Sequence, residues 1–395
     1  MSSSSVILQN NENITFVSNP SITYFKSVYR KHTKFSIGYY ETGTALNFFD
    51  ETTSKIIIPF DVTADLLCDI SLKVKFITAE KKKFKPPDDI ALHLIKNITF
   101  NLQGKLNDFD KLDKEYINFN AMLNNPQSSN STYTLDATGK LTCNNGNNFQ
   151  NMALCGGITG SENLVDIKSM DAIIPLPFAF SKSIGTAIPL CAFNQTTTTP
   201  QIVIKGNETP MLDESLVDIT KFFKFSAIAK YIFLSDEERI RFVNARLEYL
   251  FERVNTFSVS SKIINISTLN KKHPIKQIFI DIDSTPIEYN ISINGVSMFS
   301  SKFSHEFFSK VEILNKFKGC IYDKVPLSNK YRMGLIDFSL KNTEGPSGCI
   351  SPSNNIIYLT VYTNDNDNDN TPINIHTVCY YILRISDGEL IYVFD

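Results

Sequence analysis

Tryptophan is absent from this 395-residue chain, and its aromatic content rests on 30 phenylalanines and 16 tyrosines. No run of about 20 apolar residues occurs, so no helix is expected to span a bilayer. The N-terminus, MSSSSVILQN, lacks the basic start and apolar stretch of a secretory leader, and serine stands where myristoylation needs glycine. The formal net charge is −2, which leaves no global field to draw the chain to a polyanion. Seven cysteines (Cys68, Cys143, Cys155, Cys191, Cys320, Cys349 and Cys379) include no Cys-x-x-Cys pair. Their odd number and scatter argue against a zinc ribbon or a disulfide framework and read as free thiols in a reducing compartment.

Reactive motifs are equally scarce. His32, His93, His273, His305 and His376 form neither a His-x-His pair nor a helical i, i+4 pair. HEFFS (305–309) opens like a zinc-protease motif but lacks its second histidine. There is no phosphate loop ending in Gly-Lys-Ser/Thr and no Gly-x-Ser-x-Gly elbow. NDNDNDN (364–370) alternates carboxylates like the start of a calcium loop, but Asn370 stands where a sharp turn wants glycine and His376 where a bidentate glutamate belongs. No catalytic, cofactor or metal residues are expected.

What is present is strand signal. Short runs rich in Ile, Val, Thr, Phe and Tyr recur at SKIIIPF (54–60), LLCDISLKVKFI (66–77), IKNITFNLQG (95–104), DAIIPLPFAF (171–180), AIPLCAF (187–193), QIVIKG (201–206) and FFKFSAIAKYIFL (222–234). A second series follows at 257–267, 275–283, 289–295, 333–341, 354–363 and 376–386. Between the two blocks, SDEERIRFVNARLEYLFERV (235–254) puts Ile240, Val243, Leu247, Leu250, Phe251 and Val254 on one helical stripe. Ser235 and Glu238 have capping-box spacing, and Asp236, Glu237 and Glu238 suit the first turn. The chain exceeds the size of one comfortable core. The expected fold is all-β: two tandem eight-stranded jelly-roll sandwiches joined by a short helix. The expected divisions are an N-terminal arm (1–20), a first sandwich (21–235), a linker helix (236–254) and a second sandwich (255–395). Residues 124–163, rich in Asn, Ser, Thr and Gly, read as a long surface excursion. KKKFKPPDD (81–89) reads as a solvated hairpin tip.

One segment stands apart. SNPSITYFKSVYRKHTKF (18–35) interleaves aromatic and basic residues with no acid. Asn19-Pro20 marks a turn. Phe25, Val28, Tyr29 and His32 have the spacing of a short helix, and Lys26, Arg30, Lys31 and Lys34 supply positive charge. Core anchoring and a basic face toward a membrane, genome or partner protein are both open readings.

NPSITYFKSVYRKHTKFSI (19–37) closely resembles the N-terminal signature of the major capsid proteins of nucleocytoplasmic large DNA viruses. Further segments resemble that family in the same order: 89–118, IIPLPFAFSKSIGTAIPLCAF (173–193), AKYIFLSDEERIRFVNARLEYL (229–250), HPIKQIFI (273–280), GPSGC (345–349) and YYILRISDGELIYVF (380–394). The stretch 296–309 lacks the family's Asp-Arg after Asn294-Gly295, and GPSGC lacks the flanking Gln and Asn-Phe. The resemblance implies two jelly rolls in tandem and a homotrimer whose six sandwiches form a pseudo-hexagonal capsomer of an icosahedral shell. It also implies residence in the virion after synthesis in the host cytoplasm, minor capsid proteins and an inner viral membrane as partners, and no sequence-specific nucleic-acid contact. Lys26, Arg30, Lys31 and Lys34 would then face the inner partner. Alternatives are a minor or paralogous double jelly-roll component, a transient assembly scaffold and, more remotely, a carbohydrate-binding β-sandwich.

Overall fold

Alternation in SKIIIPF resolves into a strand whose Ile56 and Ile58 point inward while Lys55, Ile57 and Pro59 point to solvent. A computed structural model of the protein describes residues 23, 25–27, 31–43, 55–60, 62, 64–76, 82–84, 89–103, 106–125, 131–155, 157–158, 165–193, 199–206, 223–282, 286–299, 302–317, 333–340, 346–363, 372–386 and 388–393. The chain divides into Met1–Lys34 and a compact unit, Phe35–Asp395.

Eight strands frame the first sandwich: β1 (Phe35–Thr42), β2 (Lys55–Pro59), β3 (Leu66–Phe76), β4 (Ile95–Gln103), β5 (Leu106–Asp113), β6 (Ser169–Pro175), β7 (Thr199–Gly206) and β8 (Phe223–Leu234). One sheet runs β1-β8-β3-β6 and the other β2-β7-β4-β5. Ile70, Leu72 and Val74 from the first meet Ile98, Phe100, Ile202 and Ile204 from the second in a dry core. The second sandwich is framed by β9 (Leu247–Val259), β10 (Ile263–Asn265), β11 (Ile275–Ile282), β12 (Pro286–Ile293), β13 (Val296–Ser297), β14 (Met333–Asp337), β15 (Ile357–Thr363) and β16 (Ile373–Ser386), with β17 (Glu389–Tyr392) paired to β16. Its sheets run β9-β16-β11-β14 and β10-β15-β12-β13. Adding eight to every strand number of the first sandwich reproduces the second. Each order crosses between sheets as a jelly roll does. The β12–β13 turn is Asn294-Gly295, both at positive φ (52° and 82°), a two-residue hairpin geometry that favours this pair.

Three readings are corrected. The helix expected over 236–254 ends at Asn244, and Leu247–Val259 is strand β9. Thirteen consecutive residues of β9 pair with β16, from Leu247 opposite Ile385 to Val259 opposite Ile373. That tertiary ladder overrides a local pattern that fits both periods. Helix Asp236–Asn244 buries no residue, and Ser235 makes no side-chain cap. The helix is held instead by Arg239 Nε, 3.0 Å from Asp65 Oδ1, while Asp65 Oδ2 accepts from the Leu234 N–H at 2.8 Å.

The excursion at 124–163 contains a hairpin (Ser131–Leu135 with Lys140–Asn144) and a helix (Asn148–Ala153) closed by an Asn147–Gln150 capping box. Leu141, Cys143, Ala153, Leu154 and Cys155 join the core, so burial of apolar residues organises a segment whose polar surface carries little pattern. In KKKFKPPDD, Lys82–Phe84 pairs with Val165–Ile167, while Lys81 and 85–88 lie outside the described residues.

Met1–Lys34 shows no helix among its described residues, and Val28 and Tyr29 lie outside them. Of the stripe read as a short helix, the two described residues, Phe25 and His32, are both exposed.

Candidate functional site

The joint between the sandwiches is a packed seam rather than a helix, and one continuous apolar cluster runs through both halves. Phe109 of β5 is wholly buried and meets Phe251 of β9 edge-on at 5.6 Å and Tyr392 of β17 at 6.0 Å. The Tyr392 hydroxyl donates to the Phe109 carbonyl at 3.0 Å. Arg253 of β9 donates from Nη2 to the Asp108 carbonyl at 3.1 Å, and its guanidinium lies 4.5 Å from the Tyr381 ring centroid and 5.2 Å from that of Tyr392. Beside this, helix Lys114–Asn124 presents Tyr116 and Phe119 to Phe279 of β11, at 5.9 and 4.7 Å.

A cleft of about 620 Å³ opens along the seam, lined by Tyr116, Lys182, Tyr249, Glu252, Lys276 and Phe279 among others. Its charge is neutralised within the wall. Lys276 Nζ lies 2.6 Å from Glu252 Oε1, and Lys182 Nζ lies 3.2 Å from Oε2. Burial works to raise the Glu252 carboxyl, but the two ammonium groups outweigh it and hold it below the usual carboxylate range. A carboxylate satisfied in this way is a fastener and not a poised acid or base.

Two buried titratable groups flank the seam and oppose each other. Burial pushes Asp110 up to about 6, against Arg253, the Ala179 N–H that donates to its Oδ2 at 2.7 Å, and Lys182. Burial pushes His376 down to about 4, against Asp113, and its Nδ1 pairs with the Thr256 hydroxyl at 2.9 Å. The raised Asp110 value stabilises the fold fully below the unfolded value of 3.8, and that stabilisation is lost as pH rises through about 6. The lowered His376 value gives stability that is present above 6.5 and lost as pH falls through about 4. Between pH 4 and 6 the slopes oppose. Relative to wild type, Asp110→Asn is expected to gain roughly 2 kcal/mol as pH rises from 4 to 6.5. Urea midpoints at both pH values check this, and a pH-independent difference refutes it.

The five histidines stay apart. His93 is buried, His273 stacks on Tyr381 at 3.7 Å, His305 Nδ1 meets the Tyr289 hydroxyl at 2.9 Å, and His32 is exposed. No group of three or more His, Cys, Asp or Glu able to hold a metal occurs among the described residues. Among the described cysteines none forms a disulfide: Cys68, Cys143, Cys155 and Cys379 are buried, Cys191 is partly buried and Cys349 is exposed. Cys320 and 364–370 lie outside the described residues. Lys26, Lys31 and Lys34 are exposed, and Arg30 lies outside the described residues. No described helix is long and apolar enough to cross a membrane. The seam residues Phe109, Arg253, Phe279 and Tyr392 escape sequence reasoning, because an aromatic at a seam looks like any other core aromatic.

Two sandwiches of one strand order, fused through a common core, define a double jelly-roll protein. Solved structures share this fold. The chain resembles the capsid protein in a quasi-atomic model of the PBCV-1 virus capsid with a TM-score of 0.70 and 18% identity, over 94% of this chain and 100% of that one. It resembles the Faustovirus major capsid protein with a TM-score of 0.60 and 11% identity, over 95% and 94%. In sequence it is 25% identical to the major capsid protein of Pyramimonas orientalis virus over 95% of both chains. The family model "Major capsid protein N-terminus" matches residues 23–235, more than half of the chain. The chain belongs to the major capsid protein family of large DNA viruses, and it is a structural component of the virion.

Proposed function

We propose that three copies close into a ring whose six sandwiches form a pseudo-hexagonal capsomer, and that these capsomers tile an icosahedral shell. The observation that carries this reading is the strand order repeated with an offset of eight, fused by a seam without a flexible linker. A threefold ring of such chains presents six near-equivalent edges. The seam fixes the relation between the two sandwiches of each chain, as a tile requires. Permanent interfaces commonly bury about 2,000 Å² or more, which favours an obligate trimer, with weaker contacts between trimers so that misplaced tiles can dissociate.

The same proposal gives the basic set an inner partner. Lys26, Arg30, Lys31 and Lys34 suit an acidic minor capsid protein or the headgroups of an inner viral membrane. Free buried thiols support synthesis in a reducing compartment such as the host cytoplasm.

Native mass measurement at micromolar concentration is expected to give a trimer with no monomer; a monomer refutes the ring. Reversing all four charges (Lys26→Glu, Arg30→Glu, Lys31→Glu, Lys34→Glu) is expected to leave the trimer intact and to lower particle yield about tenfold or more, several surface charges each being worth about 1 kcal/mol. Unchanged yield removes the inner-partner role.

A further inference from the structure

We propose that the cleft along the seam binds a neutral, planar ring compound carrying both a hydrogen-bond acceptor and a donor, a cyclic amide being the simplest form. Two buried polar groups that the fold leaves unused recognise it: the Tyr116 hydroxyl and the Gln277 amide oxygen.

The cleft holds about 620 Å³, within the range of small-molecule sites. Tyr116 and Asn120, on helix Lys114–Asn124, line it from the first sandwich, and Tyr249, Gln277 and Phe279 line it from the second. A bulge in β11 shapes the second wall. The pairing of β11 with β16 shifts between Ile275 and Gln277, and Lys276 and Gln277, neighbours in sequence, both line the cleft.

Tyr116 is 3% exposed and Gln277 4%. The Tyr116 ring packs against Phe279 and against His376 at 6.1 Å. Its hydroxyl has no hydrogen-bond partner among the described residues, yet it is not sealed in protein. Burial, and after it Glu252 and Asp110, push its ionisation far above the usual tyrosine range, so it stays a donor. Gln277 Nε2 donates to Asp337 Oδ2 at 2.9 Å, which fixes the amide and leaves Oε1 as an acceptor open to the cleft. Buried polar groups are ordinarily paired. One unused donor and one unused acceptor in the same wall define the complement that fits between them.

Charge selects against ions. Glu252 is bonded to both Lys182 and Lys276, so an anion meets a carboxylate and a cation meets two ammonium groups. Ring surface from Tyr249 and Phe317, both partly buried, suits a flat apolar body. A ligand here touches both sandwiches. It binds the folded chain alone and so stabilises the angle between them.

Carbostyril, a neutral bicyclic amide, is the probe, titrated calorimetrically into the full chain. Saturable binding at one site per chain is expected. Tyr116→Phe is expected to weaken it about tenfold, the worth of one hydrogen bond. The denaturant midpoint of this variant stays at or above wild type, because the hydroxyl removed has no partner. N-Methylcarbostyril keeps the acceptor and loses the donor. It is expected to bind about tenfold less tightly than the parent, and Tyr116→Phe weakens it about tenfold again. No saturable binding to the wild type, or equal affinity for wild type and Tyr116→Phe, overturns the site. Equal affinity for the two compounds overturns the role of Gln277. Binding is counted per chain in whatever oligomeric state the protein adopts, so its failure and the failure of the ring are separate results.

Discussion

Phe109→Ala is expected to lower the unfolding free energy by about 3–5 kcal/mol, the usual cost of deleting a buried phenylalanine ring. The upper half of that range applies here, because the ring touches partners from both sandwiches: Phe100 at 5.8 Å, Phe251 at 5.6 Å and Tyr392 at 6.0 Å. Neighbours that belong to two fused bodies cannot relax into the space without moving one body against the other. The Tyr392 hydroxyl bond survives, since its acceptor is the Phe109 carbonyl. Phe109→Leu, which keeps most of the volume, is expected to cost roughly 1–1.5 kcal/mol. Denaturant midpoints check both. A loss below about 1 kcal/mol for the alanine variant contradicts a tightly packed seam.

Glu252→Ala is expected to cost about 3–5 kcal/mol, because it removes the carboxylate held against a buried ammonium. Lys276 is 1% exposed and lies 2.6 Å from Glu252. Replacing both, as Glu252→Leu/Lys276→Met, is expected to return stability to within roughly 1–2 kcal/mol of wild type, since the desolvation penalty leaves with the pair. A double-mutant cycle through Glu252→Leu and Lys276→Met therefore predicts a coupling energy of about 2 kcal/mol or more. Additive single losses refute the coupling. The pair also predicts acid sensitivity. With the Glu252 carboxyl held below its ordinary value, its stabilisation is present above the unfolded value of 4.5 and is lost as pH falls through the folded one.

Most framework strands are legible because their side chains answer to one local rule. In Lys55–Pro59, alternate isoleucines face the core and the intervening positions face solvent. The hairpin at Asn294-Gly295 is legible for the same reason, as positive φ at both positions restricts the residues that fit. β9 is not legible: Leu247, Leu250, Phe251 and Val254 satisfy a helical period, and their pairing partner lies more than 100 residues away. β5, LNDFDKLD, hides behind its polarity, because one of its faces turns to the second sandwich and, among its described side chains, Phe109 and Leu112 are the apolar ones that mark the interior. The basic segment is visible in sequence as charge, but charge alone does not name what it meets. The resemblance to capsid proteins carries the fold further than periodicity does, yet it is silent on which aromatics hold the halves together.

The clamp between Tyr392 and Phe109 spans 283 residues of chain. Contacts between such distant positions form slowly, because loop-closure entropy must be overcome before they contribute. The first sandwich can therefore collapse early with its Phe109 flank still bare, while the relative angle of the halves is set only at the final step. A subunit caught before that step carries sticky aromatics in place of a finished corner. Exposed aromatic surface of that kind favours aggregation over productive folding.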